Sequence, residues 1–173
     1  TPDYSSAASD VYKRQQLADA DYTLTVTATD QAGNTSDPST GLAITIDTTA
    51  PATPVITTTT LLTKDNTPTI EGTAEAGSTV ELFNGSNPIG TATTDENGNF
   101  SIVSSQLADA DYTLTVTATD EAGNTSVPST GLNITIDTTL PIQPSITTTT
   151  SLTNSNTPTI EGTAEAGSTV ELF

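Results

Sequence analysis

The sequence repeats itself at a spacing of 90 residues. The string LADADYTLTVTATD at Leu17–Asp30 returns at Leu107–Asp120, and TPTIEGTAEAGSTVELF at Thr67–Phe83 returns at Thr157–Phe173. Of the 68 positions from Gln16 to Phe83 set against Gln106 to Phe173, 10 differ. Self-similarity at a fixed period signals an array of like units, each with its own small core. Composition points the same way, because 4% aromatic and 32% hydrophobic residues cannot fill one large core from 173 residues. The chain is expected to hold the back of one repeat (16–49), a complete repeat (50–140) and the front of a third (141–173). It reads as a window onto a longer tandem protein, with neither end of the chain a domain end.

Residues 1–15 stand outside the period. Ser5–Gln15, SSAASDVYKRQ, resembles the direct translation of a widely used transposase-type sequencing-library adaptor, codon for codon over eleven codons. Thr1–Gln15 is therefore read as a non-native, adaptor-derived tail that takes no part in the fold. The source is then expected to be a metagenomic fragment, and the absence of an export signal or anchor within it means nothing.

The other 158 residues carry 19 acidic side chains and one base, Lys64, for a net charge of −18. That charge repels nucleic-acid phosphates and anionic lipid. The longest apolar runs are a few residues, so no segment inserts into a membrane. The chain has no His and no Cys, which removes the familiar triads, zinc sites and thiol chemistry. Paired carboxylates can do glycosidase work when burial raises the pKa of one of them. Here the pairs recur at every repeat, on small-residue loops without aromatic walls, which is a pattern of architecture. Lys64 becomes Asn154 in the next copy. No enzyme is expected.

The complete repeat reads as short β-strands with turn signals between them and no helical periodicity. Tyr112, Leu114, Val116 and Ala118 alternate with Thr113, Thr115, Thr117 and Thr119, so one face is apolar and the other hydroxylated. Threonine, 41 of 173 residues, suits the exposed face because its branched Cβ favours extended backbone. A disordered, mucin-like chain is the alternative reading of so much Thr and Pro, and strict alternation argues against it. Seven strands are expected: A at Val55–Thr59, B at Thr67–Ala74, C at Thr79–Phe83, D at Ile89–Thr94, E at Phe100–Val103, F at Asp111–Thr119 and G at Leu132–Asp137. Seven strands at this spacing predict an all-β fold of tandem immunoglobulin-like β-sandwiches with Greek-key connections, one complete and two partial. Repeat 1 would keep strands F–G and repeat 3 strands A–C. The predicted core is Ile56, Ile70, Val80, Leu82, Ile89, Phe100, Ile102, Leu107, Tyr112, Leu114, Val116, Ile134 and Ile136, with Tyr112 bonding back across the turn before it.

At these residues the chain resembles the bacterial immunoglobulin-like repeats of giant secreted adhesins and biofilm-associated surface proteins. The carriers are DYTLTVTATD-x-AGNTS, IDTT-x-P and TPTIEGTAEAGSTVEL, and the resemblance covers residues 16–173. It implies an extracellular or bacterial cell-surface protein in which such repeats form a stalk for cell adhesion and biofilm. The ligand of the full-length adhesin is unknown, and the expected partners of each repeat are its neighbours in the same chain. Two other readings stay open: accessory spacer repeats of a secreted multidomain hydrolase, and an immunoglobulin-like module that binds a glycan or receptor.

Strand order sorts the carboxylates. With the chain entering at the top, loops B–C, D–E and F–G lie at the top and loops A–B, C–D and E–F at the bottom. The bottom of repeat 1 then offers Asp19, Asp21 and Asp47, and the top of repeat 2 offers Glu75, Asp95, Asn97, Asn99 and Asp120. The short linker Thr48-Thr49-Ala50-Pro51 presses the two sets together. The second junction reuses Asp109, Asp111 and Asp137 with Glu165. Oxygen ligands converging from two ends suit Ca²⁺, which tolerates irregular geometry. The expected cofactor is therefore calcium, stiffening the junctions. The competing reading is that Asp19, Asp21, Asp109 and Asp111 are turn residues and that Asp120 bonds its own loop.

Overall fold

The computed structural model describes residues 16–149 and 151–173, so the segment read as adaptor-derived lies outside the described residues. No helix occurs among them. In the complete repeat the period-2 alternation becomes eight strands: β3 (Val55–Ile56), β4 (Leu62–Thr63), β5 (Thr69–Thr73), β6 (Thr79–Asn84), β7 (Asn87–Thr93), β8 (Asn99–Val103), β9 (Ala110–Thr119) and β10 (Leu132–Ile136). They form a three-stranded sheet, β3-β5-β8, and a five-stranded sheet, β4-β10-β9-β6-β7. This is the expected immunoglobulin-like sandwich.

Two details differ from the sequence reading. Strand A is two short strands, because the chain changes sheets along it. β3 pairs antiparallel with β5, the N–H groups of Thr57 and Thr58 still reach Glu71 O, and β4 then runs parallel to β10 in the other sheet. Strand D starts two residues early, as β7, and hairpins onto β6 through Gly85-Ser86. Gly85 has φ 62°, the left-handed value that the first position of a type II′ hairpin turn requires. Pro88 is tolerated because β7 is the edge of its sheet.

The core is Ile70, Val80, Leu82, Ile89, Phe100, Ile102, Leu107, Leu114, Val116, Ala118, Ile134 and Ile136, all buried between the sheets. Each large aliphatic chain so buried contributes about 1.5–3 kcal/mol. Ile56 and Tyr112, expected inside, are only partly buried and pack against this core. Tyr112 keeps the predicted corner, its hydroxyl donating to Ala108 O at 3.0 Å. Gly72 is needed where β5 passes closest to its neighbours, since a Cβ there would lie 2.2 Å from Val55 O and 2.4 Å from Phe100 Cζ.

The flanking segments are simpler. β1 (Ala20–Leu24) pairs antiparallel with β2 (Leu42–Ile46), corresponding to F and G of the first repeat. β11 (Ser145–Ile146) pairs with β12 (Gly162–Thr163), corresponding to A and B of the third. Residues 169–173, the expected strand C of that repeat, form no strand. In the complete repeat strand C lies between β9 and β7, and residues 169–173 have no such neighbours among the described residues.

Candidate junction site

Of the three loops expected at the first junction, B–C and F–G meet the exit of the first repeat in one cleft, and D–E with Asp95, Asn97 and Asn99 does not line it. Thr45 and Asp47, from the end of β2, face Glu75, Ala76, Gly77 and Ser78 from the β5–β6 turn and Asp120, Glu121 and Ala122 beyond β9, across a cleft of about 480 Å³. The turn holding Glu75 is fixed from behind. Glu75 O accepts the Ser78 hydroxyl at 2.7 Å and the Thr94 hydroxyl at 2.6 Å, and both residues are buried.

The loop holding Asp120 is fixed by serine side chains. Ser129 Oγ and Ser126 Oγ accept the N–H groups of Val116 and Ala118 at 3.1 and 3.0 Å and donate onward to Thr130 O and Val127 O, both at 3.0 Å. Inside that loop Asn124 donates its backbone N–H to Asp120 Oδ1 at 2.8 Å and its amide to Asp120 Oδ2 at 2.9 Å. The same amide donates to Asp47 O at 3.1 Å, a direct bond between one repeat and the next.

Among the predicted carboxylates the structure gathers Asp47, Glu75 and Asp120 at this cleft and adds Glu121, which sequence reasoning missed. Its signal was available: Glu121 directly follows Asp120 in a loop expected at the top. Asn124 was also missed, because its reach to Asp47 depends on how the two repeats sit.

The other predicted residues are spoken for by local hydrogen bonds. Asp19 accepts the N–H and hydroxyl of Thr48 at 3.1 and 2.8 Å and the hydroxyl of Thr49 at 3.0 Å. Asp109 accepts the hydroxyls of Thr138 and Thr139 at 2.8 and 2.9 Å. Asp21 and Asp111 each accept a strand hydroxyl, from Thr45 and Thr135 respectively. Asp47 and Asp137 accept the N–H of Thr49 and Thr139, both at 3.0 Å. Asp95 closes its own hairpin, taking the N–H groups of Asn97 and Asn99 at 2.9 and 2.8 Å and the Asn99 amide at 3.0 Å. Glu165 accepts the linker N–H of Ile142 at 3.0 Å.

These bonds favour the charged carboxylate. The Thr48 hydroxyl holds Asp19 below the usual range, as the Thr138 hydroxyl does Asp109. The side-chain amides of Asn99, Asn124 and Asn34 do the same for Asp95, Asp120 and Asp30.

Chemically, the cleft presents only hard oxygen donors, the set that calcium takes. As placed, however, no three acidic groups stand close enough together among the described residues to hold a metal ion. The cleft brings four carboxylates to one junction without converging them on a point.

The model of a family described as bacterial Ig-like domain matches residues 5–48 and 56–138. No curated protein matches. A solved chain described as a biofilm associated protein, BSP domain, is similar at 22% identity with a TM-score of 0.40, over 70% of this chain and 20% of that one. The present chain thus corresponds to a small part of that protein's length.

Proposed function

The chain belongs to the bacterial Ig-like domain family, and from that premise we propose that it is a run of structural spacer repeats from a bacterial cell-surface or secreted adhesin. The observation that carries this reading is the junction itself. The Asn124 amide ties the top loop of the complete repeat to Asp47 O at the exit of the repeat before it, while 85% of aligned positions, 58 of 68, are shared between copies. The core of the top loop is unchanged between copies, Ala32-Gly33-Asn34 and Ala122-Gly123-Asn124, which favours reach over ligand discrimination. Acidity keeps such an array soluble and its units apart. The work of the fragment is mechanical.

Calcium belongs to the same proposal as a stiffener. Asp47, Glu75, Asp120 and Glu121 would hold the ion, since they line one cleft, which Asp19, Asp95 and Asp109 do not. Bound there, calcium would neutralise repulsion between two repeats and draw the carboxylates together.

Small-angle scattering with thermal unfolding, in millimolar calcium and in chelator, tests both parts. The spacer reading expects an extended particle in either condition, which Asn124→Ala makes more flexible. A compact particle overturns it. The calcium reading expects stiffening and a raised melting temperature with the ion, and identical curves in the two conditions overturn that part alone.

A further inference from the structure

The complete repeat contains two Asn-Gly steps, Asn84-Gly85 and Asn97-Gly98, and the fold treats them differently. An Asn side chain is most labile in this dipeptide. The backbone nitrogen that follows can attack the side-chain carbonyl, and glycine has no Cβ to obstruct the approach. The attack needs that nitrogen free of hydrogen bonds and its turn free to move.

Asn97-Gly98 meets neither condition. The Gly98 N–H donates to Asp95 O at 2.9 Å, and Gly98 O accepts the Ala74 N–H at 2.8 Å. The Asn97 N–H donates to Asp95 Oδ1 at 2.9 Å. The turn also presses against the β5–β6 turn, where a Cβ on Gly98 would lie 2.4 Å from Ala74 O. In the β6–β7 hairpin, by contrast, Gly85 is exposed, and its N–H has no backbone partner among the described residues. A Cβ there would meet nothing within 4 Å.

We propose that Asn84 is a self-modifying residue, converted in the folded protein to aspartate and isoaspartate, and that the fold protects Asn97 from the same reaction. Gly85 N gives its proton to solvent and attacks Asn84 Cγ. The N–Cγ bond forms, the Cγ–Nδ2 bond breaks, and the amide leaves as ammonia after taking a proton back from solvent. Water then opens the cyclic imide. Opening at Cγ gives aspartate; opening at the backbone carbonyl gives isoaspartate, in which the chain runs through Cβ and Cγ. No oxidant or reductant enters, and either product adds one negative charge.

The position makes the change matter. Asn84 ends β6 opposite Leu114 of β9, so its half-buried side chain shares a face with that fully buried leucine, at the rim of the core. It also pairs with Asn87 across the hairpin. A carboxylate resists burial more than an amide does, and isoaspartate lengthens the backbone where β6 turns into β7. Both products loosen this end of the sandwich. For a spacer, a consequence that rests on the reading above, the repeat softens as it ages; the chemistry itself does not depend on that reading.

Peptide mass spectrometry on the full chain, held at mildly alkaline pH folded and in denaturant, tests this. In the folded chain, acid is expected to appear at residue 84 about tenfold faster than at residue 97, the rate equivalent of the hydrogen bond that the Gly98 N–H must first break. In denaturant the two sites should react at similar rates. Asn84→Gln, whose longer side chain closes the ring far more slowly, should remove the early acid signal. Equal rates in the folded chain, a faster Asn97 or no acid at residue 84 overturns the proposal. So does a difference that persists in denaturant, which would assign it to neighbouring residues and not to the fold. Asn84→Asp is expected to melt below wild type, and a variant that melts like wild type overturns the loosening.

Discussion

Leu17–Asp30 and Leu107–Asp120 are the same fourteen residues in two settings, and they do not form the same strand. β9 runs ten residues, Ala110–Thr119, whereas β1 stops after five, at Leu24. Both pair with a five-residue partner in matching register, Leu114 with Leu132 and Leu24 with Leu42. They part where β6 joins: residues 114–119 of β9 lie along it, and residues 25–29 have no such neighbour. Val116 is accordingly 0% exposed and Val26 65%. An alternating pattern of Thr and aliphatic residues permits a strand, and a partner decides its length.

The loops behave in the opposite way. The Tyr22 and Tyr112 hydroxyls donate to Ala18 O and Ala108 O at 3.0 Å in both copies. Ser39 Oγ accepts from Val26 N at 3.1 Å, as Ser129 Oγ does from Val116 N. Asp30 holds Asn34 as Asp120 holds Asn124. Bonds made between strands F and G and within their loops recur in both copies, while those that need β6 do not.

Paired substitutions sharpen this contrast, beginning with the largest. Val116→Asp places a carboxylate at a fully buried site and is expected to unfold the complete repeat, at a cost of about 3 kcal/mol or more, while Val26→Asp leaves its denaturant midpoint unchanged. Equal losses from both would break the comparison. Ile70→Ala should cost about 2–5 kcal/mol by chemical denaturation, and Ile160→Ala, at a site 41% exposed, should not shift the main transition. Tyr112→Phe removes the corner bond and should cost about 1 kcal/mol, with Tyr22→Phe silent in the same melt.

The smallest effect is on pH. Asp95, Asp109 and Asp120 have folded pKa values held below the ordinary 3.8, by Asn99, Thr138 and Asn124 respectively. The unfolded chain therefore takes up these protons first as pH falls. The stabilisation is full above the unfolded value and drains away as pH drops through the lower folded values. Circular-dichroism melts should show a plateau above about pH 4 and a decline toward about pH 2. Asp120→Asn should remove part of that slope.

Much of this was legible in the residues. Alternation located the strands of the complete repeat and most of its core, most plainly where Ile70, Val80, Leu114 and Val116 sit between Thr or Glu. The split of strand A was not legible, since TTTT at Thr57–Thr60 gives no sign of where the chain changes sheets. Ala118 was seen as apolar in the alternation but is too small to announce a core site. At the junction, strand order was enough to bring Asp47, Glu75 and Asp120 to one cleft. It could not show that Asp19 and Asp109 spend their oxygens on linker threonines, because a carboxylate that caps a turn and one that binds a metal look alike in sequence. Nor could it give Asn124 its bond to Asp47, which spans 77 residues.

Amide hydrogen exchange at Thr115 and Thr117 against Thr25 and Thr27 tests the central claim most directly. In β9 the N–H groups of Val116 and Ala118 point to the serines, so by alternation those of Thr115 and Thr117 point to β6. The account predicts that Thr115 and Thr117 exchange only with global unfolding of the repeat and that Thr25 and Thr27 exchange orders of magnitude faster. Equal protection at the two pairs would contradict it, and would mean that the sequence makes this strand by itself.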